Sequence, residues 1–364
     1  MKLKTFLAFC LLTIPFLEAK AQIPINDSAW ILQPAMSDEF SLGYVDTISK
    51  WFPHYPWGYI NNGAEMNLHS QLTFDGDTLK IKADTLVPNV PVANSFWHSP
   101  QGTVHYAYKS GAIQSYSTNY KFGYIEISAE YPSGVYALWP AFWLWYCGST
   151  WYNEIDIGEN SAPNSYLGTA MGTNIHMGDT SCSEQYSIGQ NINGLPFVIS
   201  GGFHKYAIEW DHDRINWYID DSLVRAYSDT SWSTIPQHGM ATIINFAISP
   251  FEAFLPTDWN AISHNGLAPT NYPQYFKIDY VRYYKLNIIS NCNNSLTICS
   301  PHSDYPLRDV RKNILAGGTS CSPTFNTSDG YTLRATTDVT LDAGATVNAN
   351  GSGHFSIIIM PCPN

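Results

Sequence analysis

The sequence predicts an all-β protein, a β-sandwich of jelly-roll type followed by a small β-rich C-terminal appendage. Three observations predict it. Short runs that alternate apolar and polar residues recur from Ile23 to about Leu286, separated by Gly, Pro, Asp and Asn. No long stretch carries the apolar period of an amphipathic helix. The composition is folded and ring-rich, with 15% aromatic residues, 13% charged residues, 12 Trp and 24 Tyr, which suits sheets walled with rings and not a disordered chain.

Segment 1–21 reads as an export signal: Met1-Lys-Leu-Lys, an apolar run from Phe6 to Leu17, then Ala19-Lys-Ala21. The run is too short to span a bilayer, and no later stretch is apolar enough to do so. The segment carries Lys2, Lys4 and Lys20 against Glu18, a net +2, so the chain's net charge of −12 becomes about −14 for the remainder. That sign disfavours nucleic acid as a partner. Beyond Cys10 there are six cysteines, an even number that suits disulfides in an exported chain. Grouping by region pairs 147 with 182, 292 with 299 and 321 with 362; the spacing does not suit a zinc site.

In chain order, Leu79-Lys-Ile-Lys-Ala, Tyr124-Ile-Glu-Ile-Ser-Ala-Glu, Tyr206-Ala-Ile-Glu-Trp and Ile215-Asn-Trp-Tyr-Ile each alternate as half-buried strands do. Asp220-Asp221, between Trp217-Tyr-Ile and Leu223-Val-Arg, predicts a hairpin turn. Trp139, Trp143 and Trp145 share one strand face, where rings either pack in a core or stack on sugars. Asn174 and His176 share a face of another strand. The domain spans 22–286. Residues 287–304, rich in Asn, Ser and Cys, predict a linker, and 305–364 the appendage, which carries no acid cluster.

The segment Asn153-Glu-Ile-Asp-Ile-Gly-Glu-Asn160 holds the candidate chemistry. Glu154 and Asp156 share a strand face, but Glu159 comes one residue late for the period of two. A β-bulge near Ile157-Gly158 absorbs that residue and returns Glu159 to the same face. Gly suits the bulge because it tolerates positive φ. Four effective steps of ~3.3 Å put the two Glu Cα atoms about 13 Å apart, a gap two long side chains can largely close. Retaining glycosidases need two carboxyl groups about 5–5.5 Å apart, one as nucleophile and one as acid. Asp156 between them raises a neighbour's pKa or shares its proton, which keeps an acid protonated near neutrality. A calcium site or a solvated acidic face is the other reading of the same trio. No Gly-x-Ser-x-Gly, phosphate loop, dinucleotide fingerprint or H-E-x-x-H occurs.

The wider text resembles glycoside hydrolase family 16, the laminarinase, agarase and carrageenase group. Ser37-Asp-Glu-Phe, Ser49-Lys-Trp, Tyr108-Lys-Ser-Gly-Ala-Ile-Gln-Ser, Phe122-Gly-Tyr-Ile-Glu-Ile-Ser-Ala-Glu-Tyr-Pro-Ser-Gly, Leu138-Trp-Pro-Ala-Phe-Trp-Leu and Glu154-Ile-Asp-Ile-Gly-Glu occur in the family order. Phe203-His-Lys-Tyr-Ala-Ile-Glu-Trp, Arg214-Ile-Asn-Trp-Tyr-Ile-Asp and Ile278-Asp-Tyr-Val-Arg-Tyr-Tyr follow, so the match covers about 35 to 285. The E-x-D-x-x-E form resembles the bulged branch.

The resemblance implies a curved jelly roll with the glycan cleft on its concave face. It implies Glu154 as nucleophile, Glu159 as acid/base and Asp156 as the assisting carboxylate. Trp139, Trp143, Trp151, Tyr152, Asn174 and His176 are the expected substrate-binding residues, and Asn245-Phe-Ala-Ile resembles a later cleft strand. A structural calcium ion on the convex side would draw on Glu39 and Asp279; catalysis itself needs no cofactor. The expected protein is a monomeric, exported retaining endo-β-glycanase, at the cell surface, in the periplasm or secreted, acting on a β-1,3(-1,4)-glucan. The competing expectations are a β-galactanase of agarase or carrageenase type, and a glycan-binding protein without turnover.

Overall fold

The computed structural model describes residues 30–59, 61, 65–93, 103–132, 138–148, 152–160, 168–179, 181–182, 184–212, 214–229, 234–248, 272–286, 289–291, 296–298, 309–316, 324–326, 331–341, 345–348 and 355–359. Residues 1–21, expected as an export signal, lie outside them. The alternating runs form strands of two sheets, paired almost entirely antiparallel. The rear sheet has ten strands. Its main path runs Ser222–Ser228, Arg214–Ile219, His204–Trp210, Gly123–Glu130, Gln274–Leu286, Thr78–Ala93, Thr103–Ser110, Glu65–Asn67, with Trp30–Leu32 and Leu72–Asp75 alongside. The front sheet has eight, ordered Glu184–Ser187, Ala170–Gly178, Tyr152–Glu159, Leu138–Cys147, Ala241–Ile248, Ala112–Ser115, Trp51–Phe52, with Gln190–Asn193 also on Ala170–Gly178. Leu138–Cys147 thus lies between the next strand in the chain and one far downstream, as a jelly roll requires.

The core lies between the sheets. Ile155 and Ile157 of the acid-bearing strand enter it, with Phe142, Leu144 and Ile244 from its neighbours and Ile127, Ile208 and Trp217 from the rear sheet. Asp220 and Asp221 adopt φ of 48° and 63° where Ile219 pairs with Ser222. Both turn residues are left-handed, as a two-residue type I′ hairpin demands. Among the described residues no helix is long and apolar enough to cross a membrane.

The tail is built differently. Asp309–Ala316, Tyr331–Leu341 and Phe355–Ile359 pair in parallel, and Thr324–Asn326 pairs in parallel with Thr346–Asn348 in a second small sheet. The chain therefore coils, rung on rung, with Ile314, Ala316, Leu333 and Ala335 as its interior. Residues 287–304, expected as a linker, hold Ile289–Asn291 and Leu296–Ile298, which both pair onto Asp309–Ala316. Three-residue strands are too short to leave a readable period. Cysteines 292, 299, 321 and 362 lie outside the described residues.

One buried acid marks how the front sheet is anchored. Glu65 is 0% exposed and its Oε2 accepts the Ile248 amide at 2.7 Å. Burial pushes its pKa up to about 8. The folded state therefore holds a proton that the unfolded chain releases near pH 4.5, and stability falls as pH rises from there to about 8. Glu65→Gln keeps the acceptor and lacks the titration. Urea midpoints followed across pH 4.5–8 should decline less in the variant, by a difference on the order of a few kcal/mol in unfolding free energy. Parallel declines would show that Glu65 titrates normally.

Candidate active site

In the Tyr152–Glu159 strand, Glu154 lies opposite Trp145 on one side and His176 on the other; Asp156 lies opposite Trp143 and Asn174. The register then slips. Gly158 comes opposite Phe142, and Glu159 opposite Ala141 and Gly172. The extra residue is absorbed between Asp156 and Glu159, so all three acids share the front face. Gly158 is needed there for a reason other than the expected one. Its φ is not in the left-handed region; a Cβ on it would lie 3.0 Å from the Tyr131 hydroxyl and 3.3 Å from Met171 Sδ. The constraint is space, not backbone freedom.

Around the acids the donors converge. The Tyr152 hydroxyl donates to Glu154 Oε2. His176 Nε2 sits 2.9 Å from Asp156 Oδ2 and 3.7 Å from Glu154 Oε1. The Trp139 indole donates to Glu159 Oε1 at 2.9 Å. Asp156 is 1% exposed and lies between the two glutamates along the strand. Burial, above all, pushes all three carboxyls up; the charge of Asp156 adds to this at Glu154, and that of Glu159 at Asp156. At Glu159 the Trp139 indole and His176 pull the other way. Carboxylates this close in a desolvated pocket cannot all ionise together, so the trio retains protons into a range where free carboxyls have lost them.

Sequence reading missed Glu184, whose Oε2 lies 3.0 Å from His176 Nδ1 without the alignment of a hydrogen bond. It follows closely on Cys182, which is bonded to Cys147, itself the ladder partner of Tyr152. The expected pairing of 147 with 182 is therefore present.

The other expected site residues fall differently. Trp143 shares the acids' face but is only 7% exposed. It packs with Tyr55, Trp57, Ala112, Ala141 and Ile243, and its indole donates to Asn245 Oδ1 at 2.7 Å. It is the floor of an aromatic cluster, not an open platform, because Trp57 packs against it. Trp57, Trp139 and Trp145 are half-buried. Asn174, opposite Asp156 in the ladder, accepts the Ile175 N–H on its Oδ1 at 2.9 Å and lies against Gly189. Trp151 lies outside the described residues. A polar residue inside Ala241-Thr-Ile-Ile-Asn-Phe-Ala-Ile was a readable signal for Asn245; Trp57 carried none.

Glu154, Asp156 and His176 offer donor atoms within 4.8 Å of one another, the one such group among the described residues. Those atoms already engage each other, which suits proton sharing. Glu39 gives both oxygens to Arg282 at 2.8 Å each, and Asp279 accepts from Ser128 Oγ at 3.3 Å. The guanidinium supplies the positive charge there, and as arranged the pair does not fit a calcium ligand set.

Two stacked sheets with a carboxylate trio on one face define a carbohydrate-active class of protein. The family model "Glycosyl hydrolases family 16" matches residues 61–266, and the chain belongs to that family. It is 30% identical over 270 residues to "Endo-1,3-1,4-beta-glycanase ExsH" of Rhizobium meliloti, covering 71% of this chain and 52% of that one. It is 27% identical over 266 residues to "Glucan endo-1,3-beta-glucosidase A1" of Niallia circulans, covering 68% and 37%. The chain thus spans about half or less of the length of these curated relatives. Among solved structures, the laminarinase catalytic domain of Thermotoga petrophila superposes with a TM-score of 0.53 at 24% identity over 71% of this chain and 98% of that one, which shows the shared jelly roll.

Trp139→Phe removes the indole that donates to Glu159. The Glu159 carboxyl should then titrate at higher pH than in the wild type, followed by NMR of glutamate-labelled protein. An unchanged or lower midpoint would mean the indole bond does not tune this acid.

Proposed function

We propose that the chain is an exported, monomeric, retaining endo-β-glycanase that cleaves an uncharged β-glucan with β-1,3 or mixed β-1,3-1,4 linkages. The observation that carries this is the bulge that returns Glu159 to the face of Glu154 and Asp156. Glu154 attacks the anomeric carbon as Glu159 passes its proton to the leaving oxygen, giving a glycosyl ester on Glu154. Glu159, now a carboxylate, takes a proton from water as that water attacks the same carbon and expels Glu154. Asp156 and His176 take up the change as Glu154 loses and regains its charge. No cofactor enters.

The charge of the face supports an uncharged substrate. The sequence has no Lys or Arg between Lys121 and Lys205, nor between Arg225 and Lys277. Those stretches supply all the front strands except Trp51–Phe52 and Ala112–Ser115, which also lack one. Glu154, Asp156, Glu159 and Glu184 share this face, and among the described residues the strands of this sheet set no Lys or Arg beside them. A sulfated galactan would bring its anions to this surface without the cationic donors that such groups need. Half-buried tryptophans offer flat apolar faces to a neutral sugar. A neutral galactan of agarose type is the second reading, since the charge argument treats it equally.

Glu154→Ser should abolish reducing-end release, by at least about a thousandfold, while glucan binding persists; continued release would displace Glu154 as nucleophile. The wild type should act on β-1,3- or mixed-linkage glucan and leave κ-carrageenan intact, and the reverse preference would overturn the charge argument. The pH profile of kcat/KM should be a bell. Glu154 must be ionised and Glu159 protonated, and both are shifted up. Both limbs should therefore lie above the ordinary carboxylate range; an acid limb at an unshifted value would contradict the desolvated pocket.

A further inference from the structure

A bulge costs backbone hydrogen bonds. Between Asp156 and Glu159 two residues, Ile157 and Gly158, face the single Thr173 of the neighbouring strand. Buried carbonyls that lose regular ladder partners must find others. Three at this place find them on side chains that cross from the rear sheet. The Trp217 indole donates to the Asp156 carbonyl at 2.8 Å. The Tyr131 hydroxyl donates to the Gly158 carbonyl at 2.9 Å. Arg225 Nη1 donates to the Thr173 carbonyl and Oγ1, both at 2.9 Å, and its Nη2 to the Ile188 carbonyl at 2.7 Å. The guanidinium lies 4.3 Å over the Trp217 ring, so two of the three donors brace each other. Tyr131, Trp217 and Arg225 are all buried, and the Tyr131 ring is held edge-on by Tyr206 at 5.0 Å.

The geometry points to Tyr131, Trp217 and Arg225 as positioning residues: a clamp reaching through the sandwich that sets the bulge, and through it the placement of Glu159 against Glu154. This rests on the glycanase reading for its catalytic consequence. None of the three touches the acids' front face. Each fixes a backbone carbonyl on or beside the bulge, and a shift of the bulge moves Glu159 while Glu154, before it, stays in register. The absent Cβ of Gly158 leaves the room that the Tyr131 hydroxyl occupies, so glycine and hydroxyl are two halves of one fit.

Tyr131→Phe removes the hydroxyl alone. Tyr206→Phe is the control: its hydroxyl is also buried, lies in the same ring cluster, and has no hydrogen-bond partner among the described residues. On a soluble β-1,3-glucan, Tyr131→Phe should lower kcat about tenfold, the worth of one buried hydrogen bond, with KM unchanged and the basic limb of the pH profile moved. Tyr206→Phe should keep the wild-type kcat and profile. Amide exchange at Gly158 and Glu159 should quicken in Tyr131→Phe only. Equal kcat and profile in the two variants would reduce Tyr131 to a packing role and overturn the clamp. A wild type that releases sugar from no glucan would sink the glycanase reading. The clamp would then stand or fall on amide exchange, and unaltered exchange in Tyr131→Phe would overturn it.

Discussion

Three carboxylates in one desolvated pocket form the constraint around which the front of this protein is arranged. An ionised acid removed from water costs several kcal/mol unless something offsets it. Here the offset comes in layers. Burial pushes the acids' pKa values up, so they keep protons longer than free carboxyls do, and Tyr152, His176 and Trp139 hold their oxygens. The strand that carries them sends Ile155 and Ile157 into the core, so the same alternation that exposes the acids to the site pins their backbone from behind.

Arg225 gives this arrangement a second purpose beyond hydrogen bonding. It is the basic side chain buried behind the acid strand, and the charge of Asp156 acts on it across the backbone. Its own desolvation works against its charge, which the Trp217 face and the carbonyl oxygens partly replace. Front strands that carry no Lys or Arg and a cation sealed beneath them differ for a glycan in one respect. The buried charge can stabilise negative charge on the acids, but it cannot reach a sulfate on the substrate.

Local patterns were legible and contacts across the sandwich were not. The alternation of Glu154, Ile155, Asp156 and Ile157, the late Glu159, and the Asp220-Asp221 hairpin depend on neighbours a few residues apart, so a reading of period and turn chemistry reaches them. The reason for Gly158 was misread because its requirement is set by Tyr131, on another sheet. Trp143 could be assigned to a face from spacing alone, yet only the fold reveals that Trp57 packs against it. Trp217 sits in a strand that reads as ordinary core, and nothing in its local pattern singles out an indole aimed at the Asp156 carbonyl. The tail defeated the linker reading for a related reason: parallel rungs pair residues far apart in the chain, and three-residue strands carry no period.

The edge of the site obeys a different rule from its centre. The Glu184–Ser187 strand is exposed along its whole length, so burial cannot hold it where Glu184 meets His176. The disulfide between Cys147 and Cys182 supplies that hold. It joins the strand that pairs with Tyr152 to the turn just before Glu184, across a sequence separation of 35. A cross-link closing a loop of that size is worth about 3–4 kcal/mol in the chain-entropy account, comparable to the packing of a buried side chain that this edge lacks. The acids are therefore held from two directions by two kinds of force, donors and packing from the rear sheet and a covalent tie at the rim. Only the second depends on the oxidising surroundings an exported chain would meet.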